Sequence, residues 1–303
     1  MTSYVPKLLL PLLLAGPLLA DRRVEKNVVY GMHSGLALLM DIYYPEKPNG
    51  YGVIFILGSG WHMPLAYNAA ALKDRAANNN FLQKLTEAGY TVFAINHRAA
   101  PRFRYPAAVE DAQRAVRFVR HHAKQYRINP ERIGGMGGSS GGHLVSMLGT
   151  LDGEGDPEDP DPVNRESSKL QCVVARAAPS ELAKIRTESG LSTVTSFIGI
   201  RLPGTNPITE EYKRYLDASP VTHVSADDAP FLLIHGDADR TVPFEQAGVM
   251  ETALRKANVE VKLIRIPNGG HGGNFQGAIN PPDFLGEMVR WLNRHLDVPT
   301  GIQ

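Results

Sequence analysis

A serine surrounded by glycines is the first feature of this sequence that could carry chemistry. The stretch RIGGMGGSSGGHL, residues 132–144, follows an apolar strand pattern and precedes a short helical pattern, so it is a strand-to-helix turn and not a flexible linker. A serine nucleophile on such a turn needs residues without Cβ on both sides, in the spacing Gly-x-Ser-x-Gly. Two registers satisfy this spacing, and they place the nucleophile at Ser139 or at Ser140.

A dinucleotide-binding turn is the main alternative for a glycine-rich run after a strand. Counted from Gly135 and Gly137, the third glycine of that fingerprint falls on Ser140, and no strand, turn and acidic residue follow in the required order. The lysine of a phosphate-binding loop is also absent from the run. The sequence therefore favours the nucleophile turn.

A serine hydroxyl is a weak nucleophile unless a base and an orienting acid lie beside it. The strand pattern FLLIH is followed by GDADRTVP, which supplies Asp237 and Asp239, and VKLIRIP is followed by NGGHGGN, which supplies His271. Glycine pairs around His271 favour a loop that bends toward the serine over an idle surface loop. The order Ser, Asp, His is that of the α/β-hydrolase fold. Three other histidines, at the ends of predicted elements, are interpreted as structural: His97, His143 and His235.

An acyl-transfer site also needs amide N–H groups that point at the developing oxyanion. The stretch FILGSGWH lies at the end of the first long apolar strand pattern and contains glycines that let the backbone approach closely. We expect the N–H groups of Ser59 and Gly60 to act as donors, together with the N–H of the residue after the nucleophile.

The elements that must position these residues alternate along the chain. Seven apolar runs are predicted as strands, and amphipathic stretches between them as helices, the clearest being the repeat of Val109, Ala112, Val116 and Val119. Because the strands from Val53 onward are nearly all apolar, we expect a mostly parallel, doubly wound sheet with helices on both faces. Residues 180–229 carry a helical stretch but no convincing strand, which predicts a small helical cap over the site.

Composition narrows the possible partners. The chain has 303 residues, 43% of them hydrophobic, and a formal net charge of +1. Nothing in this balance favours a nucleic acid or an anionic membrane as partner, so a small-molecule or polymer substrate is expected. The single cysteine, Cys172, excludes an intrachain disulfide and lies in an apolar run that predicts an inert buried thiol.

Two segments fall outside the alternating pattern. Residues 1–20 combine Lys7 with a 13-residue apolar run, Leu8 to Ala20, which predicts a cleaved signal peptide and a secreted or periplasmic protein; an uncleaved N-terminal helix is the alternative. The run is shorter than the roughly 20 residues of a membrane span. Residues 152–164 are rich in carboxylates and prolines, which predicts a solvated loop, with a calcium site as the alternative.

These motifs resemble those of carboxylesterases related to hormone-sensitive lipase, especially secreted bacterial α/β-hydrolases similar to acetyl-xylan and feruloyl esterases. LGSGW stands where the family has HGGGW, and GGSSGGHL stands where it has GGSAGGHL. The resemblance implies that Ser139 is the nucleophile, that Ser140 provides the third oxyanion N–H, and that Asp239 of HGDADRTVP is the acid, with Asp237 second. It implies no metal and no organic cofactor.

The departures from the family pattern concern the oxyanion loop. Leu57 replaces a histidine that braces this loop in the family, and Ser59 replaces its middle glycine. Trp61 and His62 are weaker candidates for substrate contact, with an exposed loop histidine as the alternative for His62.

The sequence thus predicts a serine carboxylesterase that cleaves short-chain acyl or carbohydrate-linked esters through an acyl-enzyme. The alternatives are a serine peptidase-like enzyme or a lactone hydrolase of the same fold, or a non-catalytic binding protein.

Overall fold

The computed structural model describes residues 23–185, 187–200 and 209–299. The predicted signal peptide at residues 1–20 lies outside the described residues. None of the helices within the described ranges has the length and apolarity required to cross a bilayer.

An eight-stranded sheet forms the centre of the molecule, in the order β1-β2-β4-β3-β5-β6-β7-β8. Strands β1 and β2 are antiparallel to their neighbours, and all pairs from β4 to β8 are parallel. The prediction of a mostly parallel sheet is therefore confirmed. The strands are β1 Val24–His33, β2 Leu36–Tyr43, β3 Gly52–Ile56, β4 Thr91–Ile95, β5 Ile133–Gly138, β6 Cys172–Arg176, β7 Phe231–Gly236 and β8 Val261–Ile266.

Helices cover both faces of the sheet. Every residue of the five central strands β3 to β7 is buried, as their predominantly apolar sequences predict. The α-helices are α1 Asn80–Glu87, α2 Ala107–His121, α3 Ala123–Tyr126, α4 Ser140–Thr150, α5 Glu188–Ile198, α6 Glu210–Asp217, α7 Glu245–Lys256 and α8 Phe284–His295. Apolar side chains of α2, α4 and α7 belong to one core cluster, and those of α1 and α8 to a second. The two clusters take alternate residues of the same strands and therefore lie on opposite faces of the sheet, as in a doubly wound fold.

The segment between β6 and β7 contains the predicted cap. Its described residues form α5, α6 and two short 3-10 helices, Leu182–Lys184 and Pro220–His223, and include no strand. Phe197 of α5 is 1% exposed, and its ring stacks on Trp61 at 4.4 Å between centroids. Buried aromatic contacts of this kind fix the segment to the loop that follows β3.

The acidic loop at residues 152–164 uses its carboxylates locally. Asp161 caps the 3-10 helix Pro162–Arg165 and forms an ion pair with Arg114 at 2.7 Å, and Asp159 accepts hydrogen bonds from Asp161 and Asn164. Over the ranges that the structure describes, no three His, Cys, Asp or Glu side chains are grouped so as to hold a metal ion. The arrangement gives the calcium alternative no support.

Candidate active site

Ser139 lies on a sharp turn between β5 and α4. Its backbone has φ 55° and ψ −126°, a strained conformation for a residue with a side chain, and its N–H donates to the carbonyl oxygen of Arg176 at 2.8 Å. A Cβ at Gly137 would overlap the carbonyl of Gly141, and a Cβ at Gly141 would overlap the carbonyl of Ile56. Glycine is required at both positions because the helix crosses so closely over the sheet.

Three side chains from separate loops meet at this turn. His271 Nε2 lies 2.9 Å from Ser139 Oγ, and His271 Nδ1 lies 2.7 Å from Asp239 Oδ2. The side chain of Asp239 is fully buried, whereas that of His271 is 26% exposed. The structure therefore brings together the serine, histidine and acid that the sequence singles out, in an order that permits proton transfer from the serine hydroxyl to the imidazole.

Asp239 is held as a carboxylate by its surroundings. Its Oδ1 accepts the backbone N–H groups of Thr241 and Val242, both at 2.9 Å. Burial on its own raises the pKa of Asp239, but His235, His271 and the backbone hydrogen bonds outweigh it and hold the pKa well below its usual range. An ionised acid at this position fixes the imidazole tautomer.

Asp237, the second candidate for the acid, points elsewhere. Its carboxylate accepts hydrogen bonds from the Arg265 side chain at 2.8 Å and from the Asn268 backbone at 2.7 Å. Both contacts belong to the strand and loop that precede His271, so Asp237 supports the loop and is not the acid that contacts the histidine.

The predicted oxyanion loop shows one unexpected contact. The N–H of Ser59 donates to Ser140 Oγ at 2.9 Å, so this expected donor is engaged by a hydroxyl in the structure. The reason is chemical: Ser140 carries an acceptor where the family has a methyl group. Ser59, Gly60 and Ser140 all line the same cavity as Ser139, and Gly60 has φ 65°, a conformation that favours glycine.

Trp61 and His62, the weaker candidates for substrate contact, differ in where they lie. Trp61 belongs to the lining of the cavity, but it is only 2% exposed and its Nε1–H donates to His143 Nδ1 at 3.1 Å, so most of this side chain supports the loop. Large aromatic rings are commonly buried when a partner satisfies their N–H. His62 is exposed, lies outside the cavity lining and pairs through its backbone with Ala100.

The three other histidines are buried and hydrogen-bonded to the backbone. His143 is 0% exposed, and its Nε2–H donates to Ala218 at 2.7 Å; burial lowers its pKa to about 4, although the Ala218 carbonyl opposes the shift. His235 donates to Val242 at 2.9 Å, and His97 Nδ1 lies 2.8 Å from the carbonyl oxygen of Arg98.

Sequence reasoning missed one residue of the site, Arg176. It ends β6, lines the cavity and donates from Nη1 to the carbonyl oxygens of His271 at 2.6 Å and Gly272 at 3.3 Å. The signal was present in the sequence CVVARAA, where a single charged residue interrupts an otherwise apolar run. Such a residue is costly to bury and therefore calls for an explanation.

The cavity above Ser139 has a volume of about 470 Å³. The segment between β6 and β7, which is predicted to form a cap, contributes Ile185, Thr193 and Val194 to its wall, and most of the remaining lining is uncharged. A larger cavity of about 730 Å³ lies between β1, α2 and the acidic loop, but its lining includes none of the three residues that meet at the turn. The smaller cavity is the candidate substrate site because it alone of these two contains the reactive serine.

The strand order, the serine on the turn after β5 and the histidine and acid after β8 and β7 define the chain as an α/β-hydrolase. The model of one family, BD-FAE, matches residues 40–254. The chain belongs to the BD-FAE family.

Individual relatives agree with this assignment. The chain is 30% identical to a probable carboxylic ester hydrolase, LipM, of Mycobacterium tuberculosis, over 71% of this chain and 51% of the relative. It is 27% identical to an acetylxylan esterase of Xylanibacter ruminicola, over 84% of this chain and 47% of the relative. The chain thus spans about half the length of these curated relatives.

A solved structure described as a truncated form of a carbohydrate esterase from gut microbiota superimposes with a TM-score of 0.74. Its sequence is 29% identical, and the match covers 93% of this chain and 99% of that one. The resemblance to esterases predicted from the motifs is confirmed at the level of the family.

Proposed function

We propose that this protein is a serine carboxylesterase that hydrolyses short-chain acyl esters, including esters linked to carbohydrate. The observation that carries the proposal is the continuous contact from Ser139 Oγ through His271 to Asp239, at 2.9 and 2.7 Å. A base within hydrogen-bond reach of the serine, and an acid behind that base, are what an activated nucleophile requires.

The first half of the proposed reaction forms an acyl-enzyme. His271 Nε2 accepts the proton of Ser139 as Oγ attacks the ester carbonyl carbon, and the carbonyl oxygen becomes an oxyanion. Asp239 stabilises the imidazolium that results. The tetrahedral intermediate then collapses, the bond to the alcohol oxygen breaks, and His271 returns the proton to the departing alcohol.

The second half releases the acid. His271 removes a proton from water, the hydroxide attacks the acyl carbon, and collapse of the second intermediate restores Ser139 with its proton. Backbone N–H groups of Gly60 and Ser140 are the proposed oxyanion donors. The N–H of Ser59 joins them when the Ser140 hydroxyl turns away. One such donor lowers the barrier by about 2.7–4 kcal/mol.

The substrate class is proposed from two observations. The reactive serine opens into a cavity of about 470 Å³ with apolar walls such as Ile185 and Val194, which suits a small acyl group. Two of the relatives described above are called a carbohydrate esterase and an acetylxylan esterase.

Hydrolysis of 4-nitrophenyl acetate, butyrate and octanoate by three proteins tests the proposal. Wild type should hydrolyse the shorter esters best. Ser139→Ala should lower kcat by at least about 10⁴-fold. Ser140→Ala keeps its backbone N–H and loses one neutral hydrogen bond, so it should lower kcat by no more than about tenfold.

The outcomes separate the alternatives. Loss of turnover in Ser140→Ala, with Ser139→Ala active, would move the nucleophile by one residue. A wild type that is inert on all three esters would favour the non-catalytic alternative. Acetate release from acetylated xylan, measured beside cleavage of a matched acetanilide and a lactone, separates the carbohydrate-esterase, peptidase-like and lactonase alternatives.

We also propose that the chain is exported with removal of residues 1–20. The support is the lysine, the apolar run and the small residue Ala20 before the polar DRRVEKN. The intact mass of the exported protein provides the test, since a mature chain that still begins at Met1 would exclude cleavage.

A further inference from the structure

The active-site cavity contains a cationic side chain that the proposed mechanism does not use. Arg176 is 9% exposed, and no carboxylate of the described residues lies within ion-pair distance of its guanidinium. Among the described residues that line the cavity, Arg176 is the only Arg, Lys, Asp or Glu. A buried arginine normally has a carboxylate or phosphate partner.

The guanidinium lies 5.9 Å from the centre of the Phe275 ring and, in the described part of the chain, donates hydrogen bonds from only one of its three nitrogens. Its Nη1 donates to the carbonyls of His271 and Gly272. Within the described residues, Nε and Nη2 make no hydrogen bond, and neither atom is among the polar atoms sealed from solvent without a partner. These donors therefore have no hydrogen-bond partner among the described residues, and the residue that carries them lines the cavity. Gly138 leaves the space for them, because a Cβ there would overlap the guanidinium.

The carboxylate of Asp239 raises the pKa of Arg176 but forms no ion pair with it. Asp239 acts on the guanidinium through space, but its own oxygens contact His271 and the amides of Thr241 and Val242. Burial lowers the pKa of Arg176 to about 10, and Asp239 opposes the shift, so the side chain keeps its charge at neutral pH. If Arg176 only had to donate to two carbonyl oxygens, a neutral side chain could do so at a lower cost of desolvation than a guanidinium.

We propose that Arg176 binds a carboxylate carried by the substrate, and that this protein prefers esters with an acid group close to the ester bond. The inference rests on the esterase function proposed above and names the substrate class more closely. The acid group belongs either to the acyl part, as in a half-ester of a dicarboxylic acid, or to the alcohol part, as in an acylated uronic acid. Both present the same anion to the guanidinium, whose planar donors suit a carboxylate.

Two pairs of esters distinguish these sources. Mono(4-nitrophenyl) succinate and 4-nitrophenyl butyrate differ by a carboxylate on acyl groups of similar length. The second pair, 4-acetoxybenzoate and 4-acetoxybenzamide, differs by a carboxylate on the leaving group. kcat/KM is measured on all four esters for wild type, Arg176→Gln and Arg176→Lys. For each pair, kcat/KM of the charged ester is divided by kcat/KM of the neutral ester. The ratio of each variant is then divided by the wild-type ratio, so that the intrinsic reactivities of the esters cancel.

Arg176→Gln should lower this ratio by about tenfold or more in one pair, as expected for loss of a charge-assisted hydrogen bond. Arg176→Lys should restore part of the ratio because it restores the charge. In wild type alone, the charged ester of that pair should react faster than its neutral partner once both rates are divided by their rates of alkaline hydrolysis. This comparison does not depend on whether a variant folds.

Equal losses on charged and neutral esters in both pairs would overturn the inference and leave Arg176 as a support for the His271 loop. The inference would fail equally if wild type hydrolysed the neutral esters without any preference for the charged ones. A wild type inert on all four esters would instead overturn the proposed function, and the inference with it.

Discussion

His143 offers a test of how the site is held together, because one neutral imidazole joins the oxyanion loop to the cap. Its Nδ1 accepts the indole N–H of Trp61 at 3.1 Å, which requires the proton on Nε2, and Nε2 donates to Ala218 at 2.7 Å. Burial lowers its pKa from 6.5 to about 4, partly opposed by the Ala218 carbonyl. The folded protein therefore resists protonation of this ring.

Unfolding exposes His143 to water and removes the burial that lowers its pKa, so the stability of the protein depends on pH. Below pH 6.5 the unfolded chain binds a proton at His143 while the folded chain does not, so the free energy of unfolding falls as the pH is lowered toward about 4. Each pH unit in this window costs about 1.4 kcal/mol. Because the full slope is reached only partway into the window, the loss between pH 6.5 and pH 4.5 is about 2 kcal/mol.

Urea unfolding of wild type and His143→Gln at pH 7 and pH 4.5 isolates this contribution. The glutamine side chain offers an acceptor and a donor but does not titrate, and all other titrating groups are common to both proteins. Wild type should lose about 2 kcal/mol more than the variant on going to the lower pH. Equal losses in the two proteins would refute the assignment of a buried neutral His143.

Two further predictions concern the acid and the nucleophile turn. Asp239→Asn should lower kcat for 4-nitrophenyl acetate by about 10⁴-fold. The matched change Asp237→Asn removes only a contact to Arg265 and the loop, so it should lower kcat by less than about tenfold. Comparable losses of kcat in the two variants would contradict the choice of Asp239 as the acid. Gly141→Ala places a Cβ against the Ile56 carbonyl and should lower the free energy of unfolding by at least ~3 kcal/mol. Gly248→Ala lies in α7, where a Cβ meets nothing within 4 Å, and should raise the free energy of unfolding by up to about 1 kcal/mol. Thermal unfolding of both variants measures this contrast, and a Gly141→Ala protein as stable as wild type would contradict the close crossing of α4.

The central strands could be predicted from sequence because their burial leaves a simple signal. Runs such as FLLIHG and YTVFAINHR are mostly apolar, and the structure buries every residue of the strands within them, β7 and β4. The first strand, β1, was not predicted. It lies at the sheet edge, its register against β2 shifts twice, and its exposed and buried residues therefore do not alternate. Edge strands with bulges lack the periodicity on which such prediction depends.

The helix α5 was missed for a different reason. Its sequence, ESGLSTVTSFI, is rich in serine, threonine and β-branched residues, which have modest helix propensity. Contacts such as Phe197 on Trp61 supply the stabilisation that local sequence does not. Around the site, strand ends indicated His271 and narrowed the other choices to Ser139 or Ser140 and to Asp237 or Asp239. The resemblance to the esterase family then selected Ser139 and Asp239. The Ser59 to Ser140 hydrogen bond depends on how two distant turns approach, which no local pattern encodes.

The contact between the cap and the oxyanion loop makes these two parts thermodynamically linked. A methyl group of Thr193 lies where a side chain at Gly60 would be, and Trp61 reaches α5 through Phe197 and the end of α6 through His143 and Ala218. A ligand that stabilises the segment between β6 and β7 would therefore also stabilise the loop after β3, and the coupling is reciprocal. In the proposed esterase, acyl selectivity and oxyanion stabilisation are accordingly not independent properties, because a change in one of these two parts is also a change in the surroundings of the other.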